Sequence, residues 1–370
     1  MKKILVGMSG GVDSSVAALL LKQQGYDVSG CTLKLFDGNI EDAETRTCCS
    51  LSDVEDARSV CYRLGIEHHV FNFKDLFRAE VMDRFADGYI NGETPNPCIF
   101  CNRYIKFGKM LERALLLGFD GIATGHYAKT ERDEKSGRTL LIRPADRRKD
   151  QTYVLYNMTQ FQLERTLFPL WDSDKEQNRI LAEQHGLVNA RKPDSQDICF
   201  VPDGDYAEFI LRHTGKSFPE GDFIDTDGNV IGRHGGIIRY TVGQRKGLGV
   251  TFGKPVYVCG KNVERNTVTL GDSEDLLTMT AVAEDVNLIS VDDISQPMRI
   301  TAKTRYNMTD AAGTLERAGD SKIKVTFDVP QRAVTKGQAL VVYDGDVVVG
   351  GGKIVDSEKS YKNFSANIIQ

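Results

Sequence analysis

Residues 3–25, KILVGMSGGVDSSVAALLLKQQG, decide how the rest of the chain is read. Lys3 to Gly7 is a short apolar run of strand character, and the turn Ser9-Gly10-Gly11 follows it. Val16, Ala17, Leu20 and Leu21 then recur at helical spacing until Gly25 stops the helix. A strand-loop-helix opening of this kind suits an anion. Glycine permits the tight turn and a close backbone approach, while consecutive N–H groups and the helix N-terminus face negative charge. Ser9, Ser14 and Ser15 add hydroxyl donors, and Asp13 is a candidate magnesium ligand. The loop is not a Walker P-loop, which needs Lys followed by Ser or Thr after its last glycine; here Asp13-Ser14-Ser15 opens the helix.

Outward from this unit the alternation continues. A strand is expected at about Asp27 to Leu35, then a helix with Val54, Ala57, Cys61 and Leu64 on its inner face, closed by Gly65. His69 to Phe71 reads as a third strand. Next come a helix carrying Phe77, Val81 and Phe85, a Pro-rich turn, a helix from about Asn102 to Leu117 and a short strand from Gly121 to Thr124. Strands alternating with helices predict an α/β domain with a mainly parallel sheet, its ligand site at the carboxyl ends of the strands. Beyond about Gly204 the texture changes to short β-like segments, and helical periodicity fades after Gly215. Val282 to Ile289, Met298 to Thr304, Lys322 to Val329, Ala339 to Tyr343 and Val347 to Ile354 predict a small antiparallel barrel or sandwich. The expected division is 1–204 (nucleotide-binding and catalytic), 205–277 (a small linking domain) and 278–370 (β-rich).

The chain has 370 residues, 41% hydrophobic and 27% charged, with 35 Gly and 10 Pro, so neither disorder nor a fibrous repeat is indicated. No stretch approaches the roughly 18 apolar residues of a membrane helix. Met1 to Gly7 reads as a strand and not as a signal peptide, so a cytoplasmic protein that binds no membrane is expected. A net charge of -5 gives no bulk signal for nucleic acid. The local run Arg143, Arg147, Arg148 and Lys149 is by itself an ordinary solvated loop.

Six of the eight cysteines (31, 48, 49, 61, 98, 101, 199 and 259) precede residue 102, and in a reducing compartment they are thiols. Cys31 and Cys61 fall on apolar phases and read as inert core thiols. Cys48-Cys49 reads as a loop before a helix capped by Ser50 or Ser52, with Asp53 and Asp56 suiting the helix dipole. Thr94 to Asn102 sets Cys98 and Cys101 three residues apart at a helix start, where the dipole favours a thiolate and makes Cys101 a candidate nucleophile. The same spacing also reads as a packing pair or half of a zinc site. Lys192 to Phe200 presents Cys199 among polar residues, with Lys192 near enough in sequence to favour its thiolate.

Ser9 to Ser15 resembles the SGGxDS pyrophosphate loop of PP-loop ATPases, which split ATP into AMP and pyrophosphate. With Thr94 to Asn102, Gly125-His126-Tyr127-Ala128, Lys149 to Tyr153, Lys192 to Phe200 and Arg239 to Gly249, in this order along nearly the whole chain, the resemblance narrows to the MnmA-type tRNA 2-thiouridylases. That family implies a transferase that uses ATP and Mg2+. It adenylates the C2 oxygen of the wobble uridine in tRNAs for lysine, glutamate and glutamine. Sulfur borne as a persulfide on Cys199 replaces that oxygen, and Cys101 releases it through a transient disulfide. By the same carry-over Gly7, Met8, Ser9, Gly10, Gly11, Val12, Asp13, Ser14, Ser15, Leu33 and Gly125 hold the nucleotide. Asn96, Pro97 and Cys98 meet the target base. His126, Lys149, Asp150, Gln151, Arg305, Tyr306 and Gln338 contact tRNA, and the Gly88 to Glu93 segment is expected to stay mobile until RNA binds. A cysteine desulfurase or a sulfur-relay protein is the implied sulfur donor.

The chain departs from the family at Cys98, where many members carry Asp, a natural base or ligand, so the family's acid-base assignment does not carry over to this position. Cys98, Cys101 and Cys199 also form a candidate trio of iron-sulfur ligands, as in RNA-thiolating relatives. Two other readings stand beside this one: a PP-loop ligase that needs no paired cysteines, and a non-enzymatic zinc- or RNA-binding protein.

Overall fold

In the computed structural model the described residues are 1–36, 51–193, 198–250 and 253–358. Cys48, Cys49 and Ser50 lie outside them. The chain runs β1 (Lys3–Gly7), α1 (Val12–Gln23), β2 (Asp27–Lys34), α2 (Leu51–Leu64), β3 (His68–Asn72), α3 (Lys74–Phe77), α4 (Arg84–Ile90) and α5 (Pro97–Phe100). From α5 the helix continues as π-wound turns over Cys101–Met110 into α6 (Leu111–Leu116). There follow β4 (Gly121–Ala123), β5 (Lys129–Arg132), β6 (Thr139–Ile142), α7 (Gln160–Leu163), β7 (Thr166–Leu167), α8 (Lys175–Gln184) and α9 (Tyr206–Thr214). The remaining strands are β8 (Gly221–Ile224), β9 (Val230–His234), β10 (Tyr257–Asn262), β11 (Thr267–Gly271), β12 (Leu277–Leu288), β13 (Met298–Lys303), β14 (Ala311–Arg317), β15 (Ile323–Arg332), β16 (Ala339–Asp344) and β17 (Val347–Asp356). No helix among the described residues is long and apolar enough to cross a membrane.

Two compact units share these elements. The first takes Met1–Asp83, Pro97–Gly204 and Asp346–Val348; the second takes Arg84–Asn96, Asp205–Gly345 and the chain from Val349. In the first, the sheet order is β3-β2-β1-β4-β7, every neighbour parallel. Ile4 and Val6 of β1 pack with Val16, Ala17 and Leu21 of α1 and Ala57, Val60 and Leu64 of α2, the apolar phases of the sequence. The order reverses between β1 and β4, and the crevice at their carboxyl ends is where an open parallel sheet binds its ligand.

In the second unit, β10-β11-β8-β9 form a four-stranded sheet over the linking segment. The six strands β12-β15-β14-β13-β16-β17 form the β-rich part, and β17 pairs back onto β12 to close a barrel. Leu315, Val325, Phe327, Leu340, Val342 and Val349 fill it. After α9, which Gly215 ends at φ +66°, only 3-10 turns interrupt the strands among the described residues.

The Gly88 to Glu93 segment is helical as far as Ile90, and Glu93 N–H closes a turn on Gly88 O at 2.8 Å. Two expectations change. The helix predicted from Asn102 begins at Pro97, where a missing N–H costs nothing. β14 went unread because Ala311-Ala312-Gly313 carries little strand propensity; its inward phase, Ala311, Gly313 and Leu315, is set by the barrel. Truncating the fully buried Phe327 to Ala should cost the barrel about 3–5 kcal/mol; a denaturation midpoint unchanged from the parent would contradict its place in that core.

Candidate active site at the carboxyl ends of β1 and β4

The loop leaving β1 is held from both sides. Met8 N–H donates to Cys31 O at 2.7 Å, and Thr32 Oγ1 donates to Met8 O at 3.0 Å, so the neighbouring strand fixes the loop's first residue. Gly10 has φ +74°, and a Cβ there would fall 2.7 Å from Asp53 O. Ser14 Oγ and Ser15 Oγ donate to Gly11 O at 3.0 and 3.1 Å, and Ser14 Oγ accepts from Ser9 N–H at 3.2 Å. Gly11 caps α1 without offering a side chain to its first N–H groups. This leaves an anion-facing helix start. Gly7 lies against Met110, Leu33 is the next-to-last residue of β2, and Gly125 follows β4, with an added Cβ 2.7 Å from Asp13 C and Ser14 N. The nucleotide residues expected from sequence thus gather at one switch point.

Asp13 departs from expectation. Its Oδ1 accepts from the Tyr127 hydroxyl at 2.8 Å and its Oδ2 from Lys175 Nζ at 2.7 Å; Asn178 Nδ2 donates in turn to Tyr127 Oη at 2.9 Å. The carboxylate expected to hold magnesium is bonded at both oxygens, and no group of three or more His, Cys, Asp and Glu able to hold a metal ion occurs among the described residues. A protein-built magnesium site does not fit this loop, and magnesium arriving on ATP is part of the substrate. Lys175 and Asn178 were not singled out in the sequence, and Tyr127 entered it only within the motif Gly125-His126-Tyr127-Ala128. The capping box of α8, Asp174 with Gln177, was the available signal for the helix that carries two of them.

The thiols divide by environment. Burial pushes the Cys61 thiol up to about 12, and burial with the neighbouring Cys61 raises Cys31 further; both are inert core groups as expected. Cys98 is exposed, and Cys101 and Cys199 are partly exposed. Cys98 is the second residue of the helical run from Pro97 and Cys101 lies beyond the first turn, so the helix dipole acts more on Cys98 than on the expected nucleophile. Asn102 anchors this run by donating from Nδ2 to Val154 O at 2.9 Å. The trio Cys98, Cys101 and Cys199 is not gathered into a ligating group, so the iron-sulfur cluster does not fit the present arrangement. Lys192 is not turned to Cys199. Its ammonium binds Asp53 Oδ1 at 2.7 Å and Asp56 Oδ2 at 2.5 Å; burial opposes its charge, but the two carboxylates outweigh burial and raise its pKa.

The residues expected to meet tRNA fall in both units. In the first unit Asp150 is buried, accepting from Thr152 N–H at 2.9 Å, and Gln151 Oε1 accepts from Tyr127 N–H at 2.8 Å. The basic run is neutralised locally: Arg148 forks Asp146 at 2.9 and 3.0 Å, and Arg147 pairs with Asp346. His126 shares a 2.8 Å bond between Nδ1 and Thr124 Oγ1, and burial with the Lys106 charge holds it neutral, well below the usual histidine range. In the second unit Gln338 Nε2 donates to Thr94 O at 2.6 Å, and Lys353 pairs with Glu93 at 3.3 Å, so the barrel fixes the segment leading to Asn96. Arg305 donates to Val242 O at 2.8 Å and Thr335 Oγ1 at 2.7 Å, and Tyr306 is exposed. Arg305 also lines an open cavity of about 530 Å³ with Tyr206, Arg239, Thr241 and Gln244, where the Arg239 to Gly249 motif falls.

A parallel sheet with an anion-facing loop at its switch point defines an α/β class of nucleotide-binding type, and the comparisons place it further. Residues 2–203 match the family described as tRNA methyl transferase HUP domain, 207–272 its PRC-barrel domain, and 278–354 the aminomethyltransferase beta-barrel domain. The tRNA-specific 2-thiouridylase MnmA of Clostridioides difficile is 53% identical over 96% of this chain and 99% of its own. That of Acetivibrio thermocellus is 52% identical over 95% and 99%. A 4-thiouridine synthetase–RNA complex with bound ATP aligns at TM-score 0.38 and 18% identity, covering 58% of this chain and 50% of that one, too slight a likeness to carry an argument. The chain belongs to the MnmA family of tRNA-specific 2-thiouridylases.

Gly125→Ala should press a methyl group into the backbone of Asp13 and Ser14 at about 1–3 kcal/mol of strain. ATP binding measured by calorimetry should weaken about tenfold; parental affinity would contradict the packing of Gly125 on the loop.

Proposed function

We propose that the chain is a tRNA 2-thiouridylase that replaces the C2 oxygen of the wobble uridine in tRNAs for lysine, glutamate and glutamine by sulfur, releasing AMP and pyrophosphate. The observation that carries the reading is that one unit holds a PP-loop at the β1–β4 switch point together with two partly exposed thiols, Cys101 and Cys199. Near-full-length relatives bearing that name support it.

The chemistry runs in three steps. The C2 oxygen attacks the α-phosphorus of ATP, and pyrophosphate leaves along the Gly7 to Ser15 loop, whose backbone N–H groups take up its charge. The terminal sulfur of a persulfide on Cys199 attacks C2. Cys101 thiolate attacks Cys199 Sγ, the persulfide S–S bond breaks with its electron pair going to the departing sulfur, and a Cys101–Cys199 disulfide forms as AMP leaves carrying the uridine oxygen. The persulfide sulfur is thereby reduced and the two thiols oxidised, so a thiol reductant must reopen the disulfide before a cysteine desulfurase or relay protein recharges Cys199. Cys98, exposed in the first turn after Pro97, serves at the base-contacting loop with Asn96 and Pro97. No step passes through an iron-sulfur cluster.

The three segments 1–204, 205–277 and 278–370 act as catalytic, linking and tRNA-gripping parts of a cytoplasmic enzyme. Arg305, Tyr306 and the cavity around Arg239 supply RNA contacts on the second unit, as do His126 through a neutral ring and Lys149 on the first. Asp150, Gln151 and Gln338 act by holding neighbouring backbone in place.

Anaerobic assay of an unmodified glutamate tRNA with ATP and a persulfide donor tests this. Cys101→Ser and Cys199→Ser should each abolish 2-thiouridine by nucleoside mass spectrometry while pyrophosphate release continues. Normal thiolation in either variant would remove that cysteine's role, and activity that appears only after reconstitution with iron and sulfide would replace the relay.

A further inference from the structure

At the end of the proposed sulfur transfer Cys199 is tied to Cys101 and accepts no new sulfur until that bond opens. A third thiol stands one turn away. Cys98 and Cys101 lie three residues apart on the helical run that starts at Pro97, so they are neighbours along its surface. Cys98 is exposed, whereas Cys101 and Cys199 are only partly so. A reductant needs access to sulfur, and the Cys98 position offers the most of it.

The turn between the two thiols is pinned. Ile99 is buried, and its carbonyl accepts from Asn157 Nδ2 at 3.4 Å; Asn102, also buried, donates from Nδ2 to Val154 O at 2.9 Å. Both ties run to the segment from Val154 to Asn157, so the spacing of Cys98 and Cys101 is set before any bond forms between them. A Cys-x-x-Cys pair on one turn closes a disulfide with little backbone movement. The segment bearing Cys199 shares a packing partner with this run. Phe200 is seated edge-on against Phe77 with ring centroids 5.8 Å apart, and α3, which carries Phe77, packs on the π-wound turns that begin at Cys101. The three sulfurs are not gathered as a metal would need. Thiol–disulfide exchange does not ask for that, because attacking, central and leaving sulfurs stand in a row.

Resting on the thiouridylase reading for the Cys101–Cys199 disulfide, we propose that Cys98 is a further catalytic residue, the thiol that resolves this bond. Cys98 thiolate attacks Cys101 Sγ, the bond to Cys199 breaks with its electron pair going to Cys199, and a Cys98–Cys101 disulfide forms as Cys199 leaves as a thiolate. One thiolate is consumed and one released, so no electrons enter or leave the protein in this step. Cys199 is then open to the sulfur donor at once. The disulfide that waits for the thiol reductant now lies on the exposed turn.

The test maps disulfides in two settings. The protein is first equilibrated anaerobically with oxidised and reduced glutathione, without tRNA or ATP, quenched in acid, alkylated and digested for peptide mass spectrometry. Trypsin leaves Cys98 and Cys101 on one peptide and Cys199 on another. The internal disulfide of the first peptide should exceed the Cys101–Cys199 cross-link about tenfold, because neighbours on one turn have the higher effective concentration, and Cys199 should be alkylated. In Cys98→Ser the cross-link should take its place. The same mapping after a single turnover of persulfide-charged enzyme on unmodified glutamate tRNA, with no thiol reductant, should again recover the Cys98–Cys101 disulfide. A Cys101–Cys199 disulfide with Cys98 alkylated, in either setting of the parent, would overturn the assignment. Absence of 2-thiouridine while glutathione still yields the Cys98–Cys101 bond would instead count against the function alone.

Discussion

The carboxylate of Asp13 is the contact on which the nucleotide end of the molecule depends. It joins three elements that meet nowhere else in sequence: α1, which carries it; the turn after β4, through Tyr127; and α8, through Lys175. Tyr127 is buried and its hydroxyl also accepts from Asn178, so the pair is set within a network and not on an open surface. A carboxylate fixed at both oxygens holds the first turn of α1 against Gly125, and the loop's anion-facing N–H groups inherit that position. Were Asp13 a metal ligand alone, α8 would have no polar tie to the loop through it.

The same arrangement settles what the loop can do. It presents no lysine of its own in the manner of a Walker loop, and the only ammonium group described at Asp13 comes from Lys175, brought across the unit from α8. On the proposed function, charge neutralisation at the pyrophosphate would rest on backbone N–H groups and a lysine already shared with a carboxylate. That suits binding a leaving group of high charge without holding it too tightly to depart. Burial chiefly sets Cys31 and Cys61 apart from the more exposed Cys98, Cys101 and Cys199.

Much of this was legible in the sequence. Apolar periodicity around Val16, Ala17 and Leu21 and the glycine stops at Gly25 and Gly65 placed the strands and helices of the parallel sheet, and sheet topology placed the ligand crevice. The SGGVDSS loop and the ordered motifs that follow it along the chain identified the family. What escaped has physical reasons. Lys192 was set beside Cys199 because both stand in one segment, yet an ammonium group goes to the carboxylates that best repay its desolvation, and Asp53 and Asp56 come from more than a hundred residues away. Asp13 looked available as a metal ligand because its partners, Tyr127 and Lys175, are likewise remote. Gln338, Asp150 and Gln151, which the family resemblance places against tRNA, also bind backbone groups that would otherwise be buried without partners. Long-range polar pairing is the part of this structure that has no local signature.

The central claim is that the loop activates the C2 oxygen of uridine by transferring the adenylyl group to it. The most direct measurement is a thiolation reaction on tRNA whose wobble uridine carries oxygen-18 at C2, with the released AMP analysed by mass spectrometry. The account predicts one oxygen-18 atom in each AMP formed with a 2-thiouridine. AMP of natural isotopic composition alongside authentic 2-thiouridine would contradict it.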